Sequence, residues 1–387
     1  MTHKVKQHYL KIFFFTGICI FFQNTAYALE AEFSGQVSGW TTETRRQEQW
    51  ENTTGLRYIP QFTVSQALAE ESFIDAEVSI NSFLLTRKNS DHKSYDAELY
   101  RALLRYATAQ TETRVGLQKI NFGPAQLLRS LMWFDRMDPT DPTQFTKGVY
   151  AARFKYNTLN NASFWLWCLY GNKDPKGYEW LPTIPEKPEY GGRIQYPVLG
   201  GELAATVHTR KADGDEFFLK DYTENRYALD GQWDIGIGVW FESVLIEQKF
   251  ESIYPQIDPS ALPYGWTKMI TIGADYTIGM GNGLYILAEH MATVVSEKPF
   301  GWNSDQHVSA VMFRYPVGIL DSFFAIGYYA WETQAYGQYI NWQRTYDKWV
   351  LSLGLFYYPE TAEGNAGFIQ NAGMGGYGAQ FMIIFNH

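Results

Sequence analysis

The sequence predicts an all-β protein in which about 18 antiparallel strands close into a barrel that spans a membrane. Three observations favour this fold class. Segments that alternate apolar and polar residues recur along the chain, and short turns between them alternate with long polar loops. Aromatic residues make up 17% of the sequence, and many of them stand at segment ends. A tilted strand of about 9–11 residues crosses a bilayer with one face toward lipid and the other toward a lumen.

Residues 1–28 are predicted to be a cleaved secretory signal peptide. Three lysines precede an apolar run of eleven residues at 12–22, and Ala26 and Ala28 form a small-x-small cleavage site. The run is too short for a spanning helix, which needs about 20 apolar residues. The mature chain is therefore expected to be one barrel domain, residues 29–387, in the bacterial outer membrane.

The segment 148–157 illustrates the alternation on which the fold prediction depends. One of its faces carries only apolar and aromatic residues: Tyr150, Ala152, Phe154 and Tyr156. Its other face carries Arg153 and Lys155. A soluble sandwich would bury the apolar face, whereas a membrane barrel turns it toward lipid. The segment 96–108 is interpreted in the same way, with Tyr100 on the apolar face.

Eighteen such segments can be assigned. They are 31–42, 55–68, 73–86, 96–108, 112–122, 148–157, 162–171, 189–197, 201–210, 222–233, 235–248, 266–277, 282–292, 305–315, 321–332, 337–346, 348–358 and 376–385. Sixteen strands are the alternative, if the chain does not turn near Asp347. Long loops are expected at 43–54, 87–95, 123–147 and 172–188, among others.

Charge and cysteine content exclude several classes of function. Removal of the signal peptide, with its three lysines and no acid, changes the formal charge from −9 to −12. Nucleic acid is therefore not an expected partner. After removal Cys168 is the sole cysteine, which excludes an intramolecular disulfide. The chain has no Cys-x-x-Cys-His motif for a covalently bound haem, and no cofactor is expected.

Two stretches resemble parts of Gram-negative outer-membrane barrels. The final segment alternates Tyr377, Ala379, Phe381, Ile383 and Phe385, and it resembles the C-terminal assembly signal of those proteins. Residues 114–123 resemble the strand that precedes the infolded loop in the porin superfamily. The resemblance implies a substrate-specific porin of 16–18 strands, with residues 123–147 as a candidate constriction loop.

Candidate site residues follow from the face assignment and from this resemblance. The basic residues expected to line the pore are Arg57, Arg101, Arg105, Arg114, Arg153, Lys155 and Arg193. The constriction-loop candidates are Trp133, Phe134, Asp135, Arg136, Asp138 and Asp141. Porins of the type that the chain resembles set a basic wall against acidic loop residues, and such charge selects among ions. Alternatively, these charges form ion pairs that fasten the loop to the wall.

Other lumen residues permit more than one interpretation. Trp133 and Phe134 either line the constriction or pack the loop against the wall. Asp138 and Asp141, each followed by proline, are predicted to form turns. Glu242 and Glu289 are interpreted as ordinary solvated carboxylates of a polar lumen.

The predicted function is passive diffusion of small hydrophilic solutes, with a preference for anions. The expected partners are outer-membrane lipid and the solutes. The sequence does not decide whether the protein forms a homo-oligomer. Two alternatives keep the barrel: a sheath for a periplasmic cytochrome in an electron-transfer conduit, or an export channel for an anionic polysaccharide. A hydrolase is the third alternative. Against it, the histidines of the mature chain show no spacing typical of an outer-membrane phospholipase or protease.

Overall fold

A computed structural model describes residues 29–88, 90–214, 219–252, 254, 263–359 and 375–387. The predicted signal peptide lies outside these residues. Within them, no helix is long and apolar enough to cross a membrane.

Eighteen β-strands account for most of the described chain. They are β1 Leu29–Arg46, β2 Gln49–Ala69, β3 Ser72–Arg87, β4 Ser90–Ala107, β5 Thr111–Gln118, β6 Val149–Asn157, β7 Ser163–Leu169, β8 Glu189–Val198, β9 Gly201–Ala212, β10 Tyr222–Asp234, β11 Gly238–Gln248, β12 Trp266–Ile278, β13 Leu284–Ser296, β14 Ser304–Pro316, β15 Asp321–Ala330, β16 Ala335–Thr345, β17 Trp349–Tyr358 and β18 Gly376–Asn386. The predicted count of eighteen is confirmed, and the turn near Asp347 separates β16 from β17.

The strands form one closed antiparallel barrel. Each strand pairs with the next in sequence, and β1 pairs with β18 from Gln36 opposite Asn386 to Arg45 opposite Tyr377. Closure leaves no open sheet edge, which lipid requires because it cannot satisfy free backbone groups. The predicted fold class is confirmed.

The alternation of side chains sorts them between the two faces of the wall as predicted. Phe154 on β6 and Ile194 on β8 point outward, with 41% and 54% of their surfaces exposed. Their neighbours Arg153 and Arg193 point inward and are buried. An apolar outer face around a polar inner sector is the arrangement of a membrane barrel.

The first four strands are longer than predicted. They span 18, 21, 16 and 18 residues, so most of the loops expected at 43–54 and 87–95 is strand instead. β1 and β2 join through a tight turn in which Gln47 and Glu48 have φ angles of 45° and 65°. The prediction was wrong because these hairpin ends are polar on both faces, and polarity without alternation is also typical of a loop.

A β-bulge in β4 reverses the predicted orientation of Tyr100. Ser79 of β3 pairs with Arg101, but the next residue, Ile80, pairs with Leu99, so Tyr100 is the extra residue. Its ring stacks on Phe145 in the segment between β5 and β6, at 5.1 Å between ring centroids. Tyr100 therefore lies on the inner side with Arg101, because a bulge breaks the two-residue period.

Candidate functional site

The chain between β5 and β6, residues 119–148, folds into the barrel, and we call it the inner segment. Leu128, Ser130 and Leu131 on it are 0–1% exposed, because the barrel wall surrounds them. The loop predicted at 123–147 lies within this segment. Its role as a constriction for solutes stays a prediction.

Two carboxylates on the far wall hold the inner segment by its backbone. Glu289 of β13 accepts hydrogen bonds from the backbone N–H groups of Gln126, Leu127 and Leu128 at 2.7, 2.9 and 2.5 Å. The Nε1–H of Trp240 donates a fourth to Glu289 at 3.1 Å. These contacts tie one wall to a chain that arises from the opposite wall.

Glu242 of β11 provides a second anchor. It accepts the backbone N–H groups of Ala125 and Leu131 at 3.0 and 2.8 Å. Glu242 and Glu289 are 0% and 3% exposed, so the interpretation of both as solvated carboxylates was wrong. Between them Thr271 of β12 donates its hydroxyl to the Leu128 carbonyl oxygen at 2.7 Å. Sequence reasoning missed these anchors because nothing in a strand pattern shows what a distant loop places against it.

Trp133 and Phe134 pack the inner segment against the wall. They are only 2% and 4% exposed. The Phe134 ring lies 5.7 Å from that of Trp167 on β7 and 5.0 Å from that of His208 on β9, edge to face in both cases. Of the two interpretations of these aromatics, packing is the one that the structure supports.

The acidic residues of the inner segment act mainly within it. Asp135 forms an ion pair with Arg129 at 2.8 Å. Burial lowers the pKa of Arg129, but the attraction of Asp135, the hydrogen bond to it and the nearby Glu242 together outweigh burial and leave that pKa above its usual value. Asp138 and Asp141 accept the backbone N–H and the hydroxyl of the threonine two residues later, at 2.7–2.8 Å. Their prediction as turn formers is confirmed.

Four of the seven predicted pore-lining cations form ion pairs with wall carboxylates. Arg193 forms a bidentate ion pair with Asp230, with N–O distances of 2.6 and 2.7 Å. Arg153, Arg114 and Arg105 surround Glu112 at 2.5, 2.9 and 3.8 Å. Arg105 also reaches Asp75 at 2.7 Å. Arg193 is therefore compensated by Asp230, whereas Arg153, Arg114 and Arg105 are three cations that share two carboxylates.

The other three, Arg57, Arg101 and Lys155, have no carboxylate within 4.0 Å among the described residues. Arg101 donates to the Thr146 carbonyl oxygen of the inner segment at 2.9 Å. The Arg57 guanidinium lies 4.2 Å from the centre of the Phe145 ring, also on the inner segment. Lys155 lies 4.8 Å from the ring centre of Trp165 on β7. That these cations line a solute path stays a prediction.

Residues 170–188, between β7 and β8, form a second inward stretch that we call the second segment. Arg136 Nε of the inner segment donates to the Gly177 carbonyl oxygen at 2.7 Å. Gly177 has a φ of 48°, and a Cβ there would lie 1.9 Å from the Met132 carbonyl oxygen. The outer loop expected at 172–188 therefore packs tightly against the inner segment instead.

A buried network of charges holds the second segment to strands β8–β10. Glu179 contacts Lys176, Arg210 and Arg226 at 3.1, 3.4 and 2.7 Å. Glu224 of β10 pairs with both arginines at 2.7 and 2.5 Å. All five side chains are at most 5% exposed, so each charge depends on its partners.

The wall opposite the basic strands is apolar and rich in tyrosine. Its inward residues include Met291, Tyr328, Tyr339, Phe356 and Tyr358, each 1–7% exposed. The expectation of a polar interior is therefore correct only for one sector of the barrel. The apolar sector arises because the inner segment packs there and needs apolar partners.

A cleft of about 950 Å³ lies beside the two segments. Its lining combines the aromatic residues Trp180, Phe250 and Tyr358 with the charged residues Arg136 and Glu224. Over the described ranges, no group of three acidic, histidine or cysteine side chains could hold a metal ion.

Comparison with known proteins identifies the class of fold. No family model and no curated protein matches the sequence. Among solved structures, OccAB1 of Acinetobacter baumannii is similar at a TM-score of 0.58 and 9% identity, over 93% of this chain and 96% of that one. An anion-selective porin of Comamonas acidovorans is similar at a TM-score of 0.51 and 10% identity, over 93% of this chain and 100% of that one. The outer membrane protein OmpT of Vibrio cholerae, in its trimer form, is similar at a TM-score of 0.51 and 12% identity, over 93% of this chain and 99% of that one. The chain has the fold of the outer-membrane porins.

Proposed function

We propose that the chain is an outer-membrane channel through which small hydrophilic solutes diffuse passively, with a preference for anions. The observation that carries the anion preference is the set Arg57, Arg101 and Lys155, three inward cations with no carboxylate within 4.0 Å among the described residues. Two of them lie against the inner segment, where the barrel interior is most filled.

The mechanism follows from fixed charge in a narrow aqueous path. Guanidinium groups stay protonated at any accessible pH. A cluster of them raises the local concentration of anions, and the effect extends about 10 Å at 0.1 M salt. No energy source or conformational cycle is required. A solved porin of similar fold is named as anion-selective, which supports the proposal without extending to this chain's own solute.

The inner segment also bears on the alternatives. A sheath for a periplasmic cytochrome needs an interior wide enough for a folded protein. Here the inner and second segments occupy the interior and bond to both walls. Channel function is therefore favoured over the sheath. Passage of an extended anionic polysaccharide would use the same cations, and its test is whether such a chain blocks the current. Whether the barrel forms a trimer, as OmpT does, is a separate proposal that cross-linking would test.

Reversal potentials in planar bilayers test the anion preference. The wild type should favour anions at 0.1 M salt and lose this preference near 1 M, because salt screens the fixed charge. Replacement of Arg57 and Arg101 together by glutamine should shift the reversal potential toward cations. Arg45→Gln is the matched control, because Arg45 bonds to Tyr377 on the outer side of the β1–β18 pair. A cation-selective wild type, or an equal shift in the control, would refute the proposal.

A further inference from the structure

Two histidines, a serine and an aspartate meet on the outer, lipid-facing side of β13 and β14. In β13 the inward residues Leu287 and Met291 are 0% and 1% exposed, which places His290 on the outer face. In β14 Val308 and Ala310 are buried at 5% and 2%, which places His307 and Ser309 outward. His290 pairs directly with Ser309 across the two strands.

The four side chains form one continuous hydrogen-bonded chain. Ser309 Oγ lies 2.9 Å from His290 Nδ1, and His290 Nε2 lies 3.2 Å from His307 Nδ1. His307 Nε2 lies 3.0 Å from Asp305 Oδ2. One assignment of protons satisfies all three contacts: the serine hydroxyl donates to His290, His290 donates to His307, and His307 donates to the carboxylate. This polarity leaves a lone pair on His290 Nδ1 that faces the serine proton.

The hydrogen-bonded side chains lie where lipid, rather than a solute in the lumen, can reach them. Trp331 and Tyr336, on the neighbouring turn and on β16, are 54% and 50% exposed on the outer face. Exposed tryptophan and tyrosine mark the interface where lipid head groups lie. The Trp331 Nε1–H donates to Ser309 Oγ at 2.9 Å, so the serine lies beside this belt. Ester groups of membrane lipids occupy the same depth.

We propose that Ser309, His290, His307 and Asp305 form a serine hydrolase site that cleaves carboxylic esters of lipids on the outer wall of the barrel. Ser309 Oγ bonds to the ester carbonyl carbon as its proton passes to His290 Nδ1. The carbon–oxygen bond to the alcohol then breaks, and that proton goes to the departing alkoxide. A water molecule attacks the acyl-serine, gives its proton to His290, and releases the fatty acid as Ser309 recovers its hydrogen.

The other residues of the site assist Ser309 and His290. His307 and Asp305 are positioning residues, because they fix the tautomer of His290 and stabilise its protonated form without touching the ester. The Nε1–H of Trp331 donates to Ser309 Oγ before the reaction, and it moves to the oxyanion that forms on the carbonyl oxygen once Oγ has bonded to the ester carbon. The site is independent of the channel, since its side chains lie outside the lumen. Sequence reasoning missed it because the four residues come from two strands and match no local motif.

A fluorophosphonate probe tests the nucleophile. Purified full-length barrel in detergent micelles should be labelled on Ser309, identified by the mass of the modified peptide. Ser309→Ala should abolish the label, whereas Ser82→Ala should keep it. Ser82 is a fair control because it shares the outward phase of β3 with Ile80 and Leu84. Absence of label at Ser309 in the folded wild type would overturn the proposal.

Turnover tests the remaining roles. The wild type should release fatty acid from didecanoyl phosphatidylcholine in mixed micelles, and His290→Asn should slow this release about 10²–10⁴-fold. Asp305→Asn should lower kcat with little change in KM, and Asp305→Glu should recover part of the loss. A purely structural role would give none of these kinetic differences. Release no faster than that of Ser309→Ala would refute the hydrolase, whereas conductance unchanged in Ser309→Ala would show that the channel proposal stands separately.

Discussion

Replacement of Glu289 by alanine should loosen the inner segment. The carboxylate satisfies three backbone N–H groups and one indole N–H, and it is 3% exposed. A buried donor left without a partner costs about 1–3 kcal/mol. Trp240 belongs to the wall strand β11, so only the three backbone donors of the inner segment affect its attachment. Water will enter the vacated space, so the lower bound for each of these three donors is appropriate, which gives about 3 kcal/mol. That difference corresponds to a roughly 10²-fold increase in the population of detached segments.

Single-channel recording in planar bilayers measures this loosening. Glu289→Ala should conduct more than the wild type and with larger current fluctuations, and Glu242→Ala should do the same to a smaller extent because it loses two donors. Glu202→Ala is the matched control, since Glu202 is a wall carboxylate that bonds to Gln195 and Gln232 rather than to the inner segment. If Glu289→Ala and Glu202→Ala gave the same conductance and noise, carboxylate anchoring would be refuted.

Three further predictions concern stability. In each case barrel unfolding is measured by the heat-dependent shift in gel mobility. Phe154→Arg on the lipid face should cost about 2–4 kcal/mol near the bilayer midplane, whereas Gln195→Arg should be tolerated, and equal losses would contradict the assignment of faces. Asp230→Ala should cost about 3–5 kcal/mol because it leaves Arg193 buried without its carboxylate, and a loss under 1 kcal/mol would show that water replaces the pair. Gly177→Ala should lower the unfolding temperature and raise conductance, because its Cβ would collide with the inner segment; wild-type values for both would show that the two segments are not in tight contact.

The fold was predictable from sequence because lipid imposes a two-residue period on each spanning strand. Phe154 against Arg153 shows the rule, and the closed barrel of 18 strands confirms it. The same rule fails at Tyr100, where one extra residue moves the ring to the inner side. The same rule predicts little at the end of the β1–β2 hairpin, where polar residues stand on both faces.

The interior was less predictable, because its contacts join residues far apart in the chain. Asp138 could be assigned to a turn, since its partner is two residues away. Glu289 could not be assigned to an anchor, since Leu128 lies 161 positions earlier. Inward arginines could be located by phase, but whether each meets a carboxylate depends on which strands become neighbours. Arg193 and Arg101 look alike in sequence, yet only Arg193 has a two-pronged partner in Asp230.

Because Glu289 binds the backbone of the inner segment, the sequence of that segment can diverge. Glu289 binds the backbone of Gln126, Leu127 and Leu128, and every residue except proline offers the same N–H group. The exposed side chain of Gln126 adds one contact to the Tyr285 hydroxyl at 3.2 Å, and it can change without breaking the three backbone contacts. Over evolutionary time such a barrel could acquire new solute preferences by substitutions in the inner segment, while the backbone contacts to Glu289 are retained.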